Sequence, residues 1–138
     1  ESMELAGIAR FAGRQVKELS GGQMQRVWLA LAIAQSRETL LLDEITTYLD
    51  IRYQYEILNL IRLLNERFGT SVVMVLHDIN QTMQYADTTI VMKDGRVVCR
   101  GKTQDVITED LIRDIYGITP GIIHSETGKY CLFDKNSL

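Results

Sequence analysis

Apolar residues at Met3, Leu5, Ala6, Ile8 and Ala9 have a spacing that reads as the end of a helix running to about Phe11. Ser20 followed three residues later by Gln23 is the S-x-x-Q capping box, so a second helix is expected from about Gly21 to Gln35. Its stretch Val27 to Ala34 is apolar almost all round, which predicts burial on more than one side. Thr39–Leu42 and Thr70–Leu76 are short apolar runs without clean alternation, the pattern of parallel strands covered on both faces. Between them Ile57, Ile61, Leu64 and Phe68 recur at helical spacing, and Gly69 supplies the C′ stop. Strand, helix, strand makes a βαβ unit.

Asp78 with Gln81 repeats the capping pattern and starts a helix to about Ala86. Thr89–Met92 and Arg96–Arg100 flank Asp94-Gly95, a hairpin signal because both central positions of a type I′ turn need positive φ. Two short helices follow, capped by Thr103 and Thr108, the second ending at Gly117. A last hairpin joins Ile122–Ser125 to Tyr130–Phe133 through Thr127-Gly128, with Pro120 in the connection before it. His124, between a strand and a Gly turn, reads as structural or solvated.

Composition narrows the partners. A chain of 138 residues with 46% hydrophobic content can form one ordinary domain. Lys and Arg total 15 against 18 Asp and Glu, so nothing points to nucleic acid, and a phosphate site must rely on local backbone donors. No apolar run approaches the ~18–20 residues of a membrane span, so direct insertion is not expected and any membrane process is served through a partner. Cys99 and Cys131 lie far apart outside any C-x-x-C pattern, which predicts reduced thiols, consistent with the cytosol, rather than a zinc site.

Three short segments carry candidate chemistry. Gly21 and Gly22 have no Cβ, so a phosphate can approach the backbone while the N–H groups and dipole of a helix N-terminus point at it; Ser20 adds a hydroxyl. Taken alone, Ser-Gly-Gly-Gln is equally an ordinary capped helix start. Asp43 and Glu44 end a buried strand, where open α/β sheets place ligands. Two adjacent acids repel unless something positive relieves them; a magnesium-bound phosphate does so, Asp43 holding the metal through its water shell and Glu44 polarising the attacking water. The bland alternative is a pair of solvated loop acids. His77 follows the strand Val72–Leu76, and a lone histidine there is by itself more often structural. Gly101-Lys102-Thr103 ends like a phosphate loop, but five residues separate Gly95 from Gly101 where the motif requires four.

The ordered series Leu19–Gln23, Leu40–Glu44 and Val75–Asp78, with Met24-Gln25-Arg26-Val27 continuing the first, resembles the C-terminal part of an ABC transporter ATPase domain. Leu19–Gln23 is similar to that family's signature, Leu40–Glu44 to its Walker B strand, Thr46–Asp50 to its D-loop, and His77 to its switch histidine. The resemblance implies an α/β fold, part of a P-loop NTPase (RecA-like) ABC ATPase core with a remnant of the helical subdomain and without the phosphate-loop half. Residues 1–36 then end the helical subdomain with the signature helix, 37–100 belong to the core, and 101–138 form C-terminal helices and a hairpin. Ile45 stands where the family usually has proline, which loosens the turn after Glu44 without removing a functional group.

What the resemblance implies for function is specific. The cofactors are ATP and Mg2+, and two ATPase domains pair head to tail. Ser20, Gly21, Gly22 and Gln23 complete the partner domain's nucleotide site, and Asp50 reaches across to it. Asp43 (metal), Glu44 and His77 (catalysis) serve a nucleotide held by a phosphate loop G-x-x-x-x-G-K-[ST] that these 138 residues do not contain. Thr46–Ile51 and Val73–Asn80 are most similar to the import branch serving iron–siderophore, haem and cobalamin uptake. The expected protein is the ATP-hydrolysing subunit of such an importer, cytoplasmic and peripheral on the inner face of the membrane, with transmembrane permease subunits as partners. Losing one preorganised phosphate donor costs on the order of 3 kcal/mol, so the chain alone is expected to be inactive and, with an unpaired sheet edge, prone to pairing with other chains. The non-enzymatic alternative is a free-standing module that donates the signature to a partner ATPase. A chromosome-maintenance or DNA-repair ATPase is disfavoured by the absence of sustained heptads and of net positive charge.

Overall fold

The computed structural model describes residues 1–36, 38–126, 128–135 and 137. The chain divides into two units, Glu1–Leu76 and His77–Leu138.

In the first unit the opening helix α1 spans only Ser2–Leu5, shorter than the apolar spacing predicts. Gly7 enters the left-handed region at φ 69° and stops it, and the chain continues through 3-10 turns at Ala9–Phe11 and Val16–Glu18. Helix α2 runs Gly21–Gln35 as expected, and its cap is reciprocal: the Gln23 N–H donates to Ser20 Oγ (3.3 Å) and the Ser20 N–H to Gln23 Oε1 (3.0 Å). The expected burial of α2 on more than one side holds in part: Leu29 and Ile33 enter the main core and Ala30 packs with Ala6 and Ile8 in a second cluster, whereas Trp28 and Leu31 are exposed.

Strands β1 (Thr39–Leu42) and β2 (Ser71–Met74) pair in parallel, with Leu41 opposite Val73, and helix α3 (Ile51–Phe68) connects them. Gly69, at φ 67°, ends α3 as predicted. Leu40 and Leu42 join Leu29, Ile33, Ile45, Ile57, Ile61 and Leu64 in the main core. The expectation of strands covered on both faces is corrected here: Leu41 is 76% exposed and Val73 59%, so the helices of this unit cover one face only. Asn65 Nδ2 donates to the Thr70 carbonyl (2.9 Å) and fastens the end of α3 to the start of β2.

In the second unit Asp78 caps helix α4 (Ile79–Tyr85) by accepting from the Gln81 N–H at 2.9 Å. Strands β3 (Thr88–Lys93) and β4 (Arg96–Lys102) form an antiparallel hairpin whose turn residues Asp94 and Gly95 both have positive φ, as predicted, with a bulge at Val91/Met92. Thr103 is not the cap of helix α5 (Thr103–Val106). It is the first helical residue, buried, with its hydroxyl 2.8 Å from that of Thr89, so the hydroxyl ties helix to hairpin instead of capping. Thr108 does cap α6 (Glu109–Tyr116), accepting from the Leu111 N–H, and Gly117 closes it at φ 71°. The last hairpin pairs β5 (Gly121–Ser125) with β6 (Gly128–Leu132); His124 lies within β5 opposite Lys129, and Phe133 falls beyond β6. Thr127, read from the sequence as part of that turn, lies outside the described residues. Ile107, Ile112 and Cys131 form the core of this unit, and the Asn80 amide bonds the Cys131 backbone in both directions (Nδ2 to O 3.0 Å; N to Oδ1 2.7 Å). Among the described residues no helix is long and apolar enough to cross a membrane.

Candidate functional site

The start of α2 is held in a form that leaves donors available. The first α-helical bond of α2 runs from the Met24 N–H to the Ser20 carbonyl, and the Gln23 N–H is taken by Ser20 Oγ. Gly21 and Gly22 therefore keep the N–H groups that a helix N-terminus cannot satisfy within itself. Ser20 Oγ acts as acceptor in the cap, so its proton can be donated outward, and the Gln23 amide nitrogen keeps its hydrogens. Two backbone donors, a hydroxyl and an amide at the positive end of a 15-residue helix form a donor set suited to an anion.

Gly22 faces α3 with room for a side-chain carbon. A Cβ built on it meets the Tyr53 ring carbons at 3.4 Å. One helical turn on, Arg26 donates through Nη2 to Glu56 Oε2 (2.8 Å) and through Nη1 to the Ala6 carbonyl (3.1 Å). Arg52 Nε donates to the other Glu56 oxygen at 2.9 Å. These bonds from Arg52 first, then from Arg26, hold the Glu56 carboxyl below the usual carboxylate range. Gly22, Arg26, Tyr53 and Glu56 themselves line a cavity of about 220 Å³, together with Arg10 and Phe11.

At the end of β1 the carboxylates of Asp43 and Glu44 are both exposed. Glu44 is held at φ 48°, an uncommon backbone state for a residue with a Cβ. Two hydrogen bonds keep it there: Thr47 N–H donates to its carbonyl (3.0 Å) and Thr47 Oγ1 to its Oε2 (3.4 Å). Ile45 is buried in the main core, so side-chain packing fixes the turn that proline's ring does not. Asp43 lines a second cavity of about 300 Å³ with Gln25, Trp28 and Leu41. Exposed carboxylate oxygens are the hard donors that suit Mg2+. Tyr48, fully exposed and at φ 62°, precedes Asp50, which occupies the N-cap of α3 without a side-chain cap bond. Asp50 is exposed.

Of the residues singled out from the sequence, Ser20–Gln23, Asp43, Glu44 and Asp50 fall in the first unit, and His77 is the first residue of the second, exposed ahead of the Asp78 cap. Gly101 and Lys102 lie in β4, Lys102 paired with Thr88, and Thr103 begins α5, so the Gly101-Lys102-Thr103 string is not a phosphate cradle. The sequence reading missed Arg26, Tyr53 and Glu56. The signal available was a lone arginine in an otherwise apolar helix segment and the Arg52/Glu56 spacing of four.

Residues 1–47 match the model of the ABC transporter family. The chain is 43% identical over 122 residues to the iron(3+)-hydroxamate import ATP-binding protein of Bacillus subtilis, covering 88% of this chain and 45% of the relative. It is 42% identical over 123 residues to the ferric enterobactin transport ATP-binding protein of Escherichia coli (89% and 45% covered). To the hemin import ATP-binding protein of Rhodococcus jostii it is 42% identical over 129 residues (93% and 44% covered). The chain thus spans a little under half the length of these curated relatives. Among solved structures, a metal-chelate type ABC transporter in an inward-facing conformation superposes with TM-score 0.85 at 25% identity, over 96% of this chain and 53% of that one. An ATP-binding cassette in a dimeric post-hydrolysis state with ADP and Pi gives TM-score 0.65 at 38% identity, over 74% and 44%.

Proposed function

Because the chain belongs to the ABC transporter ATPase family, we propose that it works as part of the ATP-binding and ATP-hydrolysing subunit of an importer for iron–siderophore or a related metal chelate. The observation that carries the reading is the start of α2, where Ser20 and Gln23 lock each other and leave the Gly21 and Gly22 N–H groups to an external anion. Ser20, Gly21, Gly22 and Gln23 bind the phosphates of a nucleotide held by a second ATPase domain paired head to tail, and Asp50 reaches toward the same nucleotide. Asp43 binds Mg2+. When bound there, Mg2+ would supply positive charge to the phosphate oxygens. Glu44, oriented by Thr47, accepts a proton from the attacking water. His77 hydrogen-bonds the terminal phosphate. The import relatives support the substrate class and permease subunits as further partners, with the protein peripheral on the cytoplasmic face. The 138 residues contain no phosphate-loop motif, and the chain by itself is proposed to be inactive.

The test is ATP hydrolysis by this chain fused in frame behind a phosphate-loop segment from another ABC ATPase. Magnesium-dependent turnover that falls by about 10²-fold or more in Glu44→Gln is expected, as for loss of a positioned base. A folded fusion that binds ATP but never hydrolyses it sinks the catalytic reading and leaves signature donation as the function.

A further inference from the structure

We propose that Tyr48 is an anchor for a second copy of the ATPase domain: its ring packs against the partner in the head-to-tail pair, beside the Asp50 that reaches toward the shared nucleotide. The identity of the partner rests on the reading above; the state of Tyr48 within the chain does not. The Leu49 N–H donates to the Thr46 carbonyl (3.4 Å) and closes a four-residue turn with Thr47 and Tyr48 at its centre. Tyr48, third in that turn, is held at φ 62°, the state for which glycine or asparagine is the ordinary choice. A bulky side chain there is strained. The neighbours impose the strain: Ile45 lies in the main core, Thr46 is buried, Leu49 packs against the same core, and the Leu49 carbonyl accepts from Gln54 Nε2 at 2.9 Å. The Tyr48 side chain takes no part in this packing, because it is fully exposed.

A single exposed apolar side chain is ordinary. An exposed ring on a backbone state that disfavours it is not, since glycine would keep the turn, relieve the strain and expose nothing. Tyr48 therefore costs the chain stability without an internal contact in exchange, which points to a contact outside it. Its place says which contact. Tyr48 stands two residues before the exposed Asp50, and Ile51, directly after, is 72% exposed, so apolar side chains flank the carboxylate along the chain. With Asp50 on the nucleotide of the opposite domain, Tyr48 and Ile51 are carried to the same surface. A tyrosine ring closed off from water within an interface is the kind of side chain on which affinity concentrates. Tyr48 is a binding residue of the pair and has no part in the chemistry.

The test has one arm without a partner and one with it. In the isolated chain, Tyr48→Gly is expected to leave the urea midpoint unchanged or to raise it, because strain is relieved and no contact is lost. A lowered midpoint shows that the ring is packed within the chain and overturns the anchor. The second arm uses the fusion described above, carried as Glu44→Gln so that ATP persists, and reads the monomer–dimer equilibrium by sedimentation velocity with magnesium ATP. Tyr48→Gly and Tyr48→Ala are expected to weaken the dimer by about thirty-fold or more, and Tyr48→Phe by less than about threefold. Arg62→Gln, which removes the exposed pair with Glu66, is expected to have no effect. Undiminished dimer affinity in folded Tyr48→Gly overturns the anchor and leaves the head-to-tail reading standing. So does a loss of stability of the nucleotide-free fusion in Tyr48→Gly, since the fused segment would then cover the ring. A fusion that binds ATP and stays monomeric overturns the anchor and the head-to-tail reading together.

Discussion

Glu56 illustrates how far a single charge can be read from its neighbours. Its carboxyl is held below the ordinary value by Arg52 and then by Arg26, so the folded state binds the proton less tightly than the unfolded chain does. The stabilisation is present at pH above the ordinary glutamate value of about 4.3 and is lost as pH falls through the lower folded value. The difference in unfolding free energy between the native protein and Glu56→Gln is therefore expected to be largest near neutrality and to shrink below about pH 4, measured by urea titration at several pH values. A difference that stays flat into acid would mean that Arg52 and Arg26 do not hold the charge. Its ion pair with Arg26 was illegible in the sequence because it spans thirty positions, whereas the pairing with Arg52 at a spacing of four was open to reading. The Ser20 and Gln23 cap was legible because its two halves lie three positions apart.

The same contrast of local and distant partners governs the elements. Caps and turns at Ser20, Asp78, Thr108, Asp94-Gly95, Gly69 and Gly117 depend on neighbours in the chain, and the structure has them where the pattern puts them. Coverage is a distant property. Apolar runs predicted strands buried on both faces, yet β1 alternates, with Leu40 inside and Leu41 outside. Thr103 fails as a cap for a related reason: the Thr89 hydroxyl across the hairpin competes for it, and a one-dimensional pattern does not show that partner. The alternation in β1 has a measurable consequence. Leu40→Ala is expected to cost about 2–5 kcal/mol by opening a cavity in the main core. Leu41→Thr at the adjacent exposed position is expected to stay within about 0.5 kcal/mol and to reduce self-association through the bare face. Equal destabilisation by the two changes, in denaturant unfolding of the isolated chain, would show that the outer face is packed after all.

At the scale of the whole molecule the question is how much phosphate binding 138 residues can supply. The donors gathered in the first unit are the two glycine N–H groups, one hydroxyl and one side-chain amide at the start of α2, and the same unit presents Asp43 and Glu44 as exposed acids at the end of β1. The candidate base and metal ligand add negative charge to a chain whose formal net charge is already −3, so they oppose a polyphosphate unless Mg2+ and further cationic donors come with it. Lys102, the one lysine in a phosphate-loop-like string, is committed to strand β4. Each preorganised donor that a phosphate site lacks costs on the order of 3 kcal/mol, and a missing cradle removes several at once. Calorimetric titration of the purified chain with magnesium ATP is therefore expected to give no heat at millimolar ligand, for the native sequence and for Glu44→Gln alike. Tight stoichiometric binding abolished by Gly21→Val would instead mean that the α2 N-terminus is sufficient by itself. The signature would then be a complete phosphate site rather than one side of a shared one.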